Sequence, residues 1–561
     1  MRVIPVVCVS AVSLLLAAGA VSSILVPQRP PVPVSGIDVA VSAIAATSFN
    51  QGTISNPVPG KAFGVWTGTA ISGLQPGMVA FAFATTGCNV QPSNDSPYRL
   101  PSWYAPFDSE APSAEASADH PYIVQSIYRI NAEGRLEQLG TSWTKHSWYA
   151  ASRSQSAIAS PTIGQDGCGS GICPSGSPFN NVLGSNCSDT YSFTHNSDRY
   201  YVGPRSEIRS RGTTANPGWT IAGSYLDSMS STGPGDSDIR VNAPESTDSV
   251  RSYFGQGRAQ AFKLPVARQA DISAAALGPS GRVIFEGQYV VNGDTNKLNN
   301  IAWRALSSTA PTTGAINTGH FTFASRHNYG PVVFQWGDIQ ATAQPTDEGT
   351  AYVSSRVVTQ PDDGRYRYEY AVYNLDIDRG IKAVSLDFAA PVSVDSMNFN
   401  QPRQSDPAFD AAAWAGVFDA GRGQARWEAP LPPAANNPAR PNEAIERNAV
   451  RWGTTYTYWF VSEYPPRSTA LLNLTLDRAG INEVLQARVV APRSPADITD
   501  GSFLFRPDGA VTGDDLDAFI GGFIAGDLIA DITGDAGFWI PNGSVGAEDL
   551  DAFIAFFIAG S

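Results

Sequence analysis

Two stretches near the C-terminus match each other, without a gap, at a spacing of 34 residues. Ala496-Asp497-Ile498-Thr499 recurs as Ala530-Asp531-Ile532-Thr533, and Pro507-Asp508-Gly509 as Pro541-Asn542-Gly543. Asp515-Leu516-Asp517-Ala518-Phe519-Ile520 recurs as Asp549-Leu550-Asp551-Ala552-Phe553-Ile554. A repeat this short is one supersecondary unit that cannot bury its own apolar side, so the copies must pack on each other. From Ala496 onward there are twelve acidic residues against one basic residue, Arg506, so this segment holds −11 of the chain's net charge of −14. Acidity this concentrated calls for a cation or leaves the segment unfolded.

The oxygens fall where calcium needs them. A calcium loop supplies ligands at positions 1, 3, 5, 7, 9 and 12, with a glycine turn at 6. Taking Asp515 as position 12, Gly509 makes the turn, Asp508 falls at 5, the Ala510 carbonyl at 7 and Thr512 at 9. Asp497 and Thr499 take positions 1 and 3 if the loop bulges between 3 and 5. The second copy offers Asp531, Thr533, Asn542, the Ser544 carbonyl and Asp549, with Gly543 at the turn. Gly546 stands at its position 9, where water would serve. Three carboxylates against two make the first site the tighter one. Leu516, Phe519, Ile520, Phe523 and Ile524 follow at helical spacing, as do Leu550, Phe553, Ile554, Phe557 and Ile558. The two stripes are expected to pack together, and chelation to unfold the pair.

These residues resemble the dockerin family. Paired calcium loops, each followed by one helix and closing on Asp at position 12, are its pattern. The Ala-Asp-Ile-Thr start is similar to the GC-type dockerin of secreted bacterial proteins. The resemblance covers residues 496–561 and implies two Ca²⁺ ions and a cohesin-like or other surface docking protein as partner. The chain departs from the pattern in a seven-residue insert between positions 3 and 5, in Thr at position 3, and in ending on Gly560-Ser561.

The rest reads as mainly β: an antiparallel β-sandwich body of one or two domains ahead of the small helical calcium-binding domain. Charged residues are only 16% of the chain, and glycine and proline number 52 and 41. That mix suits many turns, and no basic face for nucleic acid is apparent. Apolar strand candidates span Met78 to Phe83, Tyr122 to Ile130, Arg135 to Leu139, Val283 to Val291, Ala351 to Thr359, Arg365 to Tyr373, Thr454 to Val461 and Ala470 to Leu476. Asn131-Ala132-Glu133-Gly134 and Pro361-Asp362-Asp363-Gly364 read as hairpin turns.

Residues 1–20 have the parts of a secretory signal: Arg2, an apolar run, then Ala18-Gly19-Ala20. The rival reading keeps Val3 to Val26 as an anchor; no other run approaches the ~20 apolar residues of a membrane span. A Pro-rich tether covers 21–36, a first β-rich domain with pinned loops 37–270, a second 271–490, and a linker 491–495. Cys88, Cys168, Cys173 and Cys187 make an even set, which in an exported chain means two disulfides with the pairing open.

Function in the body is less marked. No H-E-x-x-H, G-x-S-x-G or phosphate loop is present. Ser142-Trp143-Thr144-Lys145-His146 and Tyr368-Glu369-Tyr370-Ala371-Val372-Tyr373-Asn374 are similar to phrases in uncharacterised secreted proteins with such C-terminal repeats. The Tyr366, Tyr368, Tyr370 series reads as cross-strand packing ahead of a sugar platform. Glu207, Glu286 and Glu369 are the carboxylates a glycosidase would need to pair, and His146 is the lone base candidate. The expectation is a surface-displayed binding body on a calcium-dependent dock. The alternative is a polysaccharide-active enzyme with the same dock.

Overall fold

The computed structural model describes residues 39–44, 63–67, 71–89, 122–146, 150–151, 188–192, 201–203, 209–211, 220–222, 261, 263–290, 296–306, 328–343, 349–377, 379–388, 392–403, 410–437, 440–478, 482–501, 510–533 and 543–560. The expected signal, the tether, Cys168, Cys173, Cys187, Glu207, Asp508 and Asn542 lie outside them.

The described chain is mainly β, and four antiparallel sheets hold most of it. The first sheet has six strands gathered on the long Met78–Asn89 strand, which pairs with Val39–Ile44, Phe63–Thr67, Ser188–Ser192 and Val266–Arg268. The second has seven, centred on Tyr122–Ile130 and Arg282–Val290. The third runs Ile339–Thr342, Ala351–Thr359, Tyr366–Asn374, Thr454–Ser462, Asp395–Asn400. The fourth runs Ala415–Asp419, Gln424–Glu428, Ile381–Asp387, Pro466–Leu476, Val484–Pro492.

The period of two decides how these sheets layer. Along Tyr122–Ile130, Ile123 and Ile127 enter one core with Phe81, Phe83 and Phe285, while Val124 and Tyr128 enter another. Phe83 and Phe285 stack at 4.8 Å across the first core. Along Tyr366–Asn374, Ala371 and Tyr373 join Val124 and Tyr128, while Tyr368, Tyr370 and Val372 face a third core with Val384, Trp427, Leu472 and Leu474. The second and third sheets are therefore apolar on both faces, which is why their strands read as near-continuous hydrophobic runs. The tyrosine series is packing: the Tyr368 hydroxyl donates to the Tyr464 carbonyl at 2.7 Å and the Tyr370 hydroxyl to the Val490 carbonyl at 2.8 Å.

Both expected hairpins form. Gly134 and Gly364 sit at φ of 76° and 69°, the left-handed region that a side chain resists. The Asn131 carboxamide oxygen accepts from the Glu133 and Arg135 amides and closes the first turn. Strands from both sides of residue 270 share one sheet. Arg282–Val290 pairs with Tyr122–Ile130 over nine residues, and Ile301–Ala305 and Asn328–Tyr329 extend that same sheet. The chain passes from the first sheet to the second between Arg268 and Arg282, and from the second to the third between Gln335 and Ile339.

Helix α1 spans Gly513–Ala525 and helix α2 spans Ala547–Gly560. Phe519 and Phe553 stack at 4.0 Å with planes 10° apart. Only part of each expected stripe is shared. Ile520, Ile524, Ile554 and Ile558 are exposed, while Phe556 packs on Tyr464 of the body, ring to ring at 5.0 Å. Ala491, Ala496 and Ile498 are buried in that same core, so the segment expected to be a spacer joins the helix pair to the fourth sheet.

Candidate metal centre

The two repeats fold alike down to single hydrogen bonds. The first oxygen of Asp515 accepts from the Ile498 and Thr499 amides at 2.8 and 2.9 Å. The first oxygen of Asp549 accepts from the Ile532 and Thr533 amides at the same two distances. The second oxygen of Asp515 takes the Thr512 amide at 2.8 Å, and that of Asp549 takes the Gly546 amide at 2.8 Å. Each carboxylate thus staples the start of its loop to the first turn of its helix. At that end the unpaired helix amides and the macrodipole both favour an anion.

Asp515 and Asp549 are fully buried, and Asp497, Thr499, Asp531 and Thr533 are nearly so. In the second loop the Asp531 carboxylate accepts from the amide of Gly543, twelve residues on, at 2.6 Å. Gly543 turns at φ 86°, where position 6 of a calcium loop needs its sharp bend, and Ser544 follows it. In the first loop the Thr499 hydroxyl accepts from the Gly501 amide at 3.3 Å.

A calcium ion would meet hard oxygen donors here and no sulfur or imidazole, so the described residues fit in donor type. The fit is closest at the second loop, where the Gly543 turn is held on the Asp531 carboxylate. The position 12 carboxylates fit less directly. Asp515 already accepts four donors, counting the Thr512 hydroxyl at 3.2 Å, and a carboxylate has about four lone-pair sites. Asp549 accepts three. Among the described residues no group of three or more Asp, Glu, His or Cys converges on one point.

The body's candidate residues go elsewhere. Glu286 is 2% exposed, accepting from the Tyr128 hydroxyl at 3.1 Å and the Val332 amide at 2.7 Å. Glu369 is wholly buried and takes Arg356 at 2.6 Å and Arg367 at 2.7 Å. These two carboxylates brace the contact between the second and third sheets, where Arg135 also lies 3.7 Å over the Trp459 ring. Neither opens onto a cleft. His146 ends a short strand opposite Tyr122, and Cys88 lies opposite Ser188 in the first sheet. The Arg135–Glu137–Glu369 network escaped the sequence reading, since its members are far apart in the chain; the one local sign was Arg-x-Glu at 135–137 and again at 367–369.

Among the described residues no helix is long and apolar enough to cross a membrane. No family model matches the chain, and no curated protein does. The crystal structure of the RrgA Jo.In complex aligns with 27% of this chain and 82% of its own, at 11% identity and a TM-score of 0.18, a value that assigns no fold.

Proposed function

We propose that the C-terminal helix pair is a calcium-dependent docking module of the dockerin kind, which mounts a secreted β-sandwich body on a surface or protein complex. The observation that carries the reading is the Asp531 carboxylate accepting from the amide of the Gly543 turn, twelve residues on. The ligand set is Asp531, Thr533, Asn542, Ser544 and Asp549, and in the first loop Asp497, Thr499, Asp508, Ala510, Thr512 and Asp515. Bound calcium would neutralise these loops and tie each to its helix. Asp515 and Asp549 hold the loop starts through the backbone, so their part in ligation is the smaller one.

The docking half rests on the isoleucines. Among the described residues, five of the nine exposed large apolar side chains fall in this short segment: Ile520, Ile524, Leu528, Ile554 and Ile558. Ile520 and Ile524 recur as Ile554 and Ile558, so the pair offers the same apolar edge twice to a cohesin-like partner. The glycosidase reading has no comparable support, with Glu286 and Glu369 buried and hydrogen-bonded. Calorimetric titration of the chelator-treated full chain with CaCl₂ tests the metal. We expect two equivalents to bind, with Asp531→Asn losing one. A chain that takes up no calcium overturns the proposal.

A further inference from the structure

The path from the fourth sheet into the first loop has no slack. From Ala491 to Thr499 every residue but Arg493 is buried. The Arg493 amide donates to the Pro465 carbonyl at 2.7 Å. Ser494 takes the Ala496 amide on its hydroxyl at 3.3 Å and the Asp497 amide on its carbonyl at 3.1 Å. Ala496 and Ile498 flank Asp497, and Ala530 and Ile532 flank Asp531. All four flanking side chains sit in one core with Leu472, Leu474 and Val489 of the fourth sheet. The first ligand position of each loop is therefore held between two residues of the body's core. Building on the calcium reading above, we propose that calcium in these loops is coupled to the packing of the third and fourth sheets. The ion locks that end of the body, and the body holds the loops ready for the ion.

Phe556 and Tyr464 carry the coupling. Both are buried, and their rings meet edge to face at 5.0 Å. On the body side, the Tyr464 carbonyl takes the Tyr368 hydroxyl of the third sheet at 2.7 Å, and the next residues lead into Pro466–Leu476 of the fourth. On the helix side, Phe556 lies one turn beyond Phe553, which stacks on Phe519 of α1. A shift of either helix is thus felt where the two sheets are tied. A module on a flexible tether keeps that tether exposed and opens on its own; here the connection is buried and the core is shared. An ion that binds only closed loops stabilises whatever must close with them. At about 100 times its Kd it suppresses their opening about 100-fold per site. Linkage is reciprocal, so loosening the packing from the body side must weaken the ion.

The test is hydrogen exchange of the full chain, read by mass spectrometry over Val484–Pro492 in excess chelator and in saturating CaCl₂, beside calorimetric titration of the same sample. We expect calcium to slow exchange there by about tenfold or more, and to leave Met78–Asn89 of the first sheet unchanged. Phe556→Ala cuts the contact from the helix side and leaves every side chain of the two sheets in place. It should keep the Phe519–Phe553 stack, bind calcium and lose most of the slowing. Tyr464→Ala cuts the contact from the body side and should weaken calcium by about fivefold or more. Tyr464→Phe keeps the ring and should match the wild type. In chelator, exchange over Ala351–Thr359 as slow as in the wild type shows that a variant body is folded. Calcium bound without slowing at Val484–Pro492, full slowing kept by Phe556→Ala, or unchanged affinity in Tyr464→Ala overturns the coupling and leaves the calcium reading standing. A chain that binds no calcium overturns both.

Discussion

Replacing Asp515 with Ala, in chain kept free of metal by excess chelator, separates a structural staple from a metal ligand. The side chain is fully buried and accepts the Ile498, Thr499 and Thr512 amides. Thr512 is exposed and can turn to water, but Ile498 and Thr499 are 6% and 5% exposed. Orphaning two buried amides costs about 1–3 kcal/mol each, and losing the helix cap about 1 kcal/mol more. Local opening should therefore become easier by about 3–7 kcal/mol, or about two to five powers of ten in exchange rate. Hydrogen exchange followed by mass spectrometry over residues 496–501 and 513–525 reads this directly. Asp549→Ala should cost about the same, within about 1 kcal/mol, because the Ile532 and Thr533 amides are its counterparts. If Asp515→Ala leaves metal-free exchange at Ile498 and Thr499 unchanged, the staple argument is wrong and the carboxylate serves the metal alone.

The remaining expectations are shorter. Phe553→Ala removes the ring stacked at 4.0 Å on Phe519 and should cost about 3–5 kcal/mol, seen as a lower denaturant midpoint. Glu369→Ala leaves the part-buried Arg356 and Arg367 without their carboxylate and should cost about 3 kcal/mol in the same assay, more than Glu369→Gln. Chelation should lower the melting temperature without abolishing the helical signal, because Phe519, Phe553 and Phe556 keep their place in the body's core. Burial holds the Tyr368, Tyr370, Tyr456 and Tyr458 phenols above their ordinary value of 10.0, and pushes Tyr352 up to about 12. The unfolded chain releases these protons first, so stability is intact below pH 10 and falls as pH rises past it. Absorbance of tyrosinate should lag behind a simple titration and then jump with unfolding.

What could be read locally was read well. The turn at 361–364 and its flanking strands need only neighbours in sequence: an extended run on each side and a glycine at φ 69° between them. The tandem helices were legible for the same reason, since a repeat carries its own comparison. The failures were all of long range. Nothing near Arg282–Val290 says that it pairs with Tyr122–Ile130, more than 150 residues earlier. Nothing in the helical stripe says which isoleucines stay outside, or that Phe556 packs on Tyr464 of another element.

The sequence alone determined the alternation of strands and turns, the helix pair and the acidic loops, since each depends on φ/ψ preference, side-chain period and charge within a few residues. The tertiary structure decided which sheets stack, that Glu286 and Glu369 became buried braces, and that the helices share the body's core. Those outcomes depend on which apolar faces exclude water together, and that is a property of the whole folded chain.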